Sequence, residues 1–502
     1  MALFALAVAG TACWAVASIA YPMGYDQGMM ASVGDVVVRG GMPYRDGFDL
    51  KGPITFYLFA AVQLLFGRVM WGIRLLDLAL LISASACFHS ILKRITDSPV
   101  ISRWLALGLV FAFASRSWFH VSQPDGWAAH LVVIALFLSF RPSPSKLHWL
   151  GSGCLIGLSA LIKPFYILFI PVPVVLGASG ALAAAIIPGL LVLCGTALPL
   201  LVTVAWFGWN HALGDLVAVQ FEFNLNAYSG AGSLGLGGIV ENVAMYFWNG
   251  GSRTPAGPFV VLLVPIVAGI FFAWRERRTI GLGLLLWLAT ALACVVLQRK
   301  FYVYQWLITF APLLAVAGLA LARISIHAAA RALATVAVGL FLAGVIIRPA
   351  WDAVCFARYV TGMDSRKTYM ARFTRFDFRA LAATDAASYI KDHTRPDERV
   401  VVFGVDSVVQ FLSERASSTR FVYGYPLGVP NKAYRDRYRA EYIAALRRTP
   451  PRYIVLGSSQ DEEKTEGFPE LAALLAENYQ ADQTFGRLEL YRLHDNIGAA
   501  TP

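Results

Sequence analysis

The first twenty residues, MALFALAVAGTACWAVASIA, carry no charged side chain, and apolar runs of similar character recur along most of the chain. A stretch of about 20 apolar residues matches the hydrocarbon thickness of a bilayer, where a segment must satisfy its own backbone hydrogen bonds and so folds as a helix. Runs that span or nearly span fall at 1–20, 71–92, 102–118, 127–141, 149–162, 164–179, 181–206, 257–274, 279–297, 303–321 and 332–350, about eleven in all by that criterion. Composition agrees: 57% of the 502 residues are hydrophobic, against roughly 45–50% in soluble domains. The mean hydropathy is +0.59. The chain therefore reads as a polytopic α-helical membrane protein.

The net charge of +11 does not point to nucleic acid, because no polar segment interleaves a basic patch with aromatics. Basic residues fall instead in short links between apolar runs: Lys93, Arg94 and Arg103; Arg141 and Lys146; Arg275, Arg277 and Arg278; Arg323 and Arg331. Placing these four links in the cytoplasm puts every alternate link outside, including the loops 21–70 and 207–256 and everything after residue 350. The six cysteines show no CxxC spacing, so neither a disulfide framework nor a cysteine metal site is expected. Ser18 and Ala20 fit a signal-peptide cleavage site, but no Lys or Arg precedes the apolar stretch, so a retained helix is expected.

Residues 1–350 thus read as a membrane domain and 351–502 as a small α/β domain outside the cytoplasm. In the latter, RVVVFG (399–404), RFVY (420–423), RYIVLG (452–457) and RLELYRL (487–493) have strand character, and 380–393, 432–448 and 467–479 have helical spacing. No GxGxxG follows a strand, so a dinucleotide site is not indicated.

Polar residues concentrate in the first outer loop. Met29, Met30, Val33, Val36 and Val37 recur at helical spacing with Gln27, Ser32, Asp35 and Arg39 between them, which predicts an amphipathic interfacial helix over 27–39. Asp26 is open to two readings, the N-cap of that helix or a catalytic carboxylate. Two glycines and Pro43 end the helix, and a second apolar stretch, 54–66, is too short to span and is expected to lie half-inserted. Tyr44, Arg45, Asp46, Asp49, Lys51 and Pro53 sit between the two.

An acid after the first membrane helix, an interfacial helix, a Y-x-D-x-x-D-x-K-x-P element (44–53) and a second interfacial helix together resemble the GT-C integral-membrane glycosyltransferases. The branch resembled is that of the lipid A aminoarabinose transferases and protein O-mannosyltransferases, the family 39-like enzymes, which use polyprenyl-phosphate sugars. QPDGWAAHLVVIALFL (123–138), GLSALIKPFYIL (157–168) and RKFYVYQWLITFAPLL (299–314) are similar to further elements of that family. So are VVFG, FLSERASSTRFVY and TPPRYIVLG in the C-terminal part. Two departures stand out: few residues precede the first helix, and Tyr304 and Gln305 occupy the place of a His-Tyr pair.

The resemblance implies the GT-C fold and an inverting transfer of a sugar from an isoprenoid-phosphate donor to a lipid, polysaccharide or protein acceptor. The setting it implies is the outer, periplasmic face of a bacterial inner membrane. It assigns the proton-accepting carboxylate to Asp26. Cations must meet the charge developing on the leaving phosphate, and Lys51, Arg299 and Lys300, with Tyr304, are the candidates. Asp49 is placed to hold Lys51, or a divalent metal where one is bound; a monophosphate leaving group makes no cofactor obligatory.

Other residues carry double readings. Asp125 is a second acid near the acceptor or the N-cap of the helix that follows. Lys163 contacts substrate or snorkels from a helix end. Arg74 and Asp77 read as an intramembrane ion pair, and His120 with Asp125 is a weak metal signal. The run GAGSLGLGGIVEN (230–242) has the flexibility of a lid. A transporter or flippase of lipid-linked sugars is the rival reading, though neither inverted repeats nor broken midplane helices are evident. A third is a degenerate membrane scaffold bearing a glycan-binding domain.

Overall fold

The computed structural model describes residues 2–177, 182–228, 235–249, 259–276, 278–324, 328–457 and 467–495. The chain divides into two compact units, each gathered from segments distant in sequence. One comprises Met1–Ile19, Arg74–Ala205 and Ser233–Ala357; the other comprises Ala20–Ile73, Trp206–Gly232 and Arg358–Pro502. Packing thus groups the 21–70 loop with the C-terminal residues, a grouping different from the linear division at residue 350.

Each of the eleven apolar runs contains a helix. In chain order these are Ala2–Ile19, Trp71–Thr96, Pro99–Ala114, Pro124–Ser139, Lys146–Ile162, Pro171–Gly177, Leu182–Trp209, Leu263–Glu276, Arg278–Gln298, Phe310–Ile324 and Ala328–Val360. Short 3-10 segments, Pro164–Phe169, Phe259–Leu262 and Val303–Thr309, lead into three of them. Among the described residues, 6 helices are long and apolar enough to cross a membrane unaided. Among the shorter ones, Pro124–Ser139 is largely enclosed by protein, burying Trp127, Ala128, Val132, Val133, Ala135 and Leu136. Lys93 and Arg94, Arg275, and Arg323 occupy the last turns of their helices, where cations meet the negative end of the helix dipole. Arg277, which belongs to one of the basic links, lies outside the described residues. Glycine permits close helix contact in the membrane unit, where a Cβ on Gly153 would collide with the Val192 carbonyl.

In the other unit the two loop helices are Tyr25–Val38 and Pro53–Phe66. Leu64, Leu65 and Phe66 expose apolar side chains at the end of the second, as an interfacial helix requires. The polar side of the first is covered instead of solvated: Gln27, Ser32 and Asp35 are buried. The cover comes from the C-terminal part, whose helix Val408–Ser413 packs on it. Ser32 Oγ donates to the Ser407 carbonyl at 3.0 Å, and on the opposite side Gln63 donates to the Ala31 carbonyl at 2.9 Å.

The C-terminal part forms a four-stranded sheet in the order Val400–Phe403, Tyr453–Leu456, Leu488–Leu493, Tyr479–Phe485. The first pair is parallel and the others antiparallel. Helices Ala380–Asp392, Lys432–Arg448 and Pro469–Asn478 match the expected positions. RFVY does not join the sheet. Phe421 makes a single bridge with Phe48, because the Arg420 carbonyl accepts from the Phe48 amide at 2.7 Å and the segment spends its hydrogen bonds on the first loop. Strand Tyr479–Phe485 lies at the sheet edge, largely exposed, and so lacks the apolar alternation that marks a half-buried strand.

Gly28 faces Val408 so closely that a Cβ there would lie 2.6 Å from the Val408 backbone nitrogen. Since backbone cannot step aside as a flexible side chain can, Gly28→Ala should lower the unfolding midpoint. The overpacking cost of about 1–3 kcal/mol exceeds the helix-propensity gain of about 1 kcal/mol. Gly10→Ala, where nothing lies within 4 Å, should leave thermal unfolding unchanged or raise its midpoint; equal behaviour of the two variants would refute the close packing.

Candidate active site

Asp26 lies in the first turn of helix Tyr25–Val38, whose N-cap is Gly24. The N-cap reading is thereby corrected: the side chain that satisfies the open end is Gln27, whose Oε1 accepts from the Gly24 amide at 3.0 Å. The helix begins at Tyr25, two residues before the expected start at Gln27, and the Tyr25 hydroxyl accepts from the Phe378 amide at 3.1 Å. The Asp26 carboxylate lies 3.5 Å from Lys51 Nζ and keeps a 20% exposed side chain. It sits where the helix dipole favours an anion.

Lys51 joins two carboxylates. Its Nζ lies 3.3 Å from Asp49 Oδ1 and 3.4 Å from Oδ2, and Asp49 is wholly buried. Asp49 Oδ1 also accepts from the Leu50 amide at 2.6 Å. Burial raises the Asp49 pKa, opposed by the neighbouring ammonium. Burial would lower that of Lys51, but Asp49 and Asp26 outweigh it and leave it raised.

The backbone around Lys51 is fixed from two sides. The buried Tyr44 hydroxyl donates to the Lys51 carbonyl at 2.8 Å, and Gln220 Nε2 donates to the carbonyls of Leu50 and Lys51, each at 3.0 Å. Tyr44 holds a left-handed φ of 71°, uncommon for a residue with a Cβ. Its amide donates to the Gly47 carbonyl at 2.7 Å, and its carbonyl accepts from Arg420 at 3.0 Å. The loop that presents Lys51 is thus bonded to the 207–256 loop and to the C-terminal part of the same unit.

In the membrane unit a second polar group forms around Asp125, in the first turn of Pro124–Ser139. Gln123 holds the N-cap position, so Asp125 is not the cap of this helix either. Lys163 Nζ lies 2.7 Å from Asp125 Oδ2, and Tyr166 donates to Oδ1 at 2.6 Å. Lys163 also donates to Gln298 Oε1 at 2.7 Å and lies 5.4 Å from the Tyr304 ring centre. Lys163 therefore turns inward to a buried carboxylate, which simple snorkelling does not require.

Arg74 donates to the Val121 carbonyl at 3.0 Å. Asp77 accepts from the Ser122 amide at 2.9 Å and from Trp127 Nε1 at 2.9 Å, so it anchors the turn 115–123. Arg299 is exposed with φ 54°, and Lys300 is half-buried, its pKa lowered by that burial. Among the described residues no cluster of three His, Cys, Asp or Glu side chains could hold a metal ion, so His120 and Asp125 acquire no third ligand there. Of the glycine-rich run, 230–234 lies outside the described residues, and helix Leu236–Asn249 carries the rest.

Of the candidate residues, Asp26, Asp49 and Lys51 therefore form one cluster within their unit. Asp125, Lys163 and Tyr304 gather within the other. Gln220, Tyr166 and Gln298 escaped sequence reasoning. An isolated Gln in a long loop carries no motif, whereas Tyr166 follows Lys163 by three residues and could have been read from that spacing.

The fold is that of the GT-C membrane glycosyltransferases. ArnT from Cupriavidus metallidurans bound to undecaprenyl phosphate superposes with a TM-score of 0.65 at 12% identity, covering 100% of this chain and 99% of that one. The apo form of the same enzyme gives 0.55 at 14%, covering 100% and 98%. The Archaeoglobus fulgidus oligosaccharyltransferase in complex with Zn and sulfate gives 0.51 at 13%, covering 90% of this chain and 67% of that one. At these identities the likeness is one of fold. The model of glycosyltransferase family 87 matches residues 51–298, and fold and family match together identify the chain as a membrane glycosyltransferase. That match begins at Lys51 and does not include Asp26. No curated protein sequence matches the chain.

Lys51→Met would leave Asp49 buried without its counter-charge, and removal of one partner of a buried pair costs about 3–5 kcal/mol. The double variant Asp49→Asn/Lys51→Met should recover much of that loss in thermal unfolding. The Asp49 pKa is raised, so the native state holds more protons than the unfolded one just above the ordinary carboxylate range. Stability should therefore fall as pH rises through that window. Asp49→Asn should flatten this slope, and an unchanged slope would remove Asp49 as its source. The raised Lys51 pKa acts at the alkaline end, where its stabilisation is complete below the ordinary lysine value and fades as pH rises through the raised one.

Proposed function

We propose that the chain transfers a single sugar, with inversion, from an isoprenoid-phosphate donor to a lipid, polysaccharide or protein acceptor on the outer face of the membrane. The observation that carries this reading is the Asp26–Lys51–Asp49 cluster, in which a partly exposed carboxylate lies 3.5 Å from an ammonium backed by a wholly buried acid. The fold shared with an ArnT bound to undecaprenyl phosphate supports the donor class.

In the transfer the acceptor oxygen attacks the anomeric carbon and its proton passes to the Asp26 carboxylate. The bond from the anomeric carbon to the phosphate oxygen breaks, and its electron pair stays on that oxygen. Lys51 meets the charge that develops there. An ammonium has three donors, so Lys51 can keep Asp49 while turning a donor from Asp26 to the phosphate. That exchange uncovers Asp26 as the donor arrives, so the base loses its counter-ion when it is needed. Asp49 keeps Lys51 in place, because its buried carboxylate would otherwise be uncompensated. Arg299, Lys300 and Tyr304, within the membrane unit, are the further candidates for contact with a phosphate that the family resemblance assigns. Asp125, Lys163 and Arg74 are the supporting polar residues of the membrane unit in this reading. No metal is obligatory, since the ammonium already lies between the two carboxylates.

The alternation of basic links puts the loops carrying Asp26, Lys51, Lys163 and Arg299 on one side of the membrane, the side opposite those links. That alternation supports a site and C-terminal residues on the outer side, which the family resemblance makes the periplasmic face of a bacterial inner membrane. The flippase reading has no specific structural observation in its favour.

Asp26→Asn should lower transfer by about 100-fold or more, the scale of general-base catalysis, with thermal unfolding near wild type because the carboxylate is not the helix cap. The assay is incorporation of radiolabelled sugar from a polyprenyl-phosphate donor by membranes containing the variant. Transfer at the wild-type rate would remove Asp26 as the base.

A further inference from the structure

Away from the Asp26 cluster, the unit that contains it holds a pocket of about 280 Å³. Five segments contribute to it: Arg45 from the 21–70 loop, Asp215 from helix Leu213–Val217, the π-helical stretch Ala218–Tyr228, Arg420, and helix Lys432–Arg448. Its lining contains neither Asp26, Asp49 nor Lys51.

The lining mixes charge signs evenly. Arg45, Arg420 and Arg437 line it together with Asp215, Glu222 and Glu441 and with Tyr434 and Tyr438. Part of this set is structural: Arg420 is bidentate to Glu441 at 2.6 and 2.9 Å, and Tyr438 is buried. Arg45 is also engaged, paired with Asp46 at 2.8 Å and donating to the Asn210 carbonyl at 2.8 Å, which leaves Glu222, Arg437 and Tyr434 as the groups open to a ligand. Glu222 and Arg437 are exposed and Tyr434 is half-buried. Glu222 makes no hydrogen bond or ion pair among the described residues.

These features exclude most ligand classes. An anion such as phosphate would meet as many carboxylates as guanidiniums, and a lipid chain would meet a polar wall. Interleaved carboxylates and guanidiniums instead accept from and donate to neighbouring hydroxyls. A Tyr ring presents a negative face to the weakly positive C–H face of a sugar ring. The volume lies just below the roughly 300–1,000 Å³ of sites for drug-sized ligands, which suits one ring.

We propose that this pocket is a saccharide subsite that holds one pyranose of the acceptor glycan; the assignment to an acceptor rests on the transfer reading above. Its wall is tied to the catalytic loop, because Gln220, between lining residues Val219 and Glu222, holds the carbonyls of Leu50 and Lys51. A sugar seated against Glu222 therefore bears on the stretch that fixes the Lys51 backbone.

The test is saturation-transfer NMR on the full chain in detergent, with methyl α-glucopyranoside, methyl α-mannopyranoside and methyl β-galactopyranoside at millimolar concentration. At least one should receive saturation on its ring protons. The signal should fall at least fivefold in Glu222→Ala and Arg437→Ala, both exposed positions whose truncation leaves the core intact, and should persist in Asp26→Asn. Absence of saturation for all three sugars, or equal saturation in the pocket variants, overturns the subsite. The readout needs no turnover, so it separates from the transfer reading: saturation that depends on Glu222 together with normal transfer by Asp26→Asn would keep the subsite and discard the base.

Discussion

One lysine shared by two carboxylates sets the conditions for the rest of the site. Lys51 between Asp26 and Asp49 is an ionic group largely withdrawn from water, and such a group stabilises a fold only when its geometry is held by other bonds. Those bonds are supplied by Tyr44 and Gln220 on the Lys51 backbone, and Tyr44 is in turn held in a left-handed conformation with its carbonyl bound to Arg420. The charge cluster, the two outer loops and the C-terminal residues therefore act as one assembly, and loss of any tie loosens the position of the ammonium.

These ties give the C-terminal α/β part of this chain a structural role. In the described residues the C-terminal part does more than follow the last membrane helix. Its helix Val408–Ser413 buries the polar side of Tyr25–Val38, and Arg420 closes the turn at Tyr44. A helix covered on both sides holds the carboxylate at its N-terminus more rigidly than a helix floating at an interface. The role proposed for Asp26 as a base depends on that rigidity.

Asp125 shows a related device in the membrane unit. A carboxylate inside a helical bundle is costly unless paired, and here Lys163, Tyr166 and, through Lys163, Gln298 satisfy it. The two polar groups share a design, a buried acid that fixes a lysine, although they are built from unrelated segments.

The membrane helices were legible because apolar runs report the bilayer directly, one residue at a time, and all eleven contain helices. The acids and lysines that matter were legible for the same reason: a charge stands out in an apolar chain, as Asp26, Lys51, Asp125 and Lys163 do. Their partners were less legible, since Gln220 and Lys51 are 169 residues apart and nothing in local spacing joins them. RFVY has the composition of a strand, and only the competing bond from Phe48 decides that it stays out of the sheet. The sequence by itself determined where helices lie and where charge is confined, because those follow from local transfer energies. Only the tertiary structure decided that Gln27 closes the helix end while Asp26 turns to Lys51, because that choice depends on a loop 25 residues further along the chain.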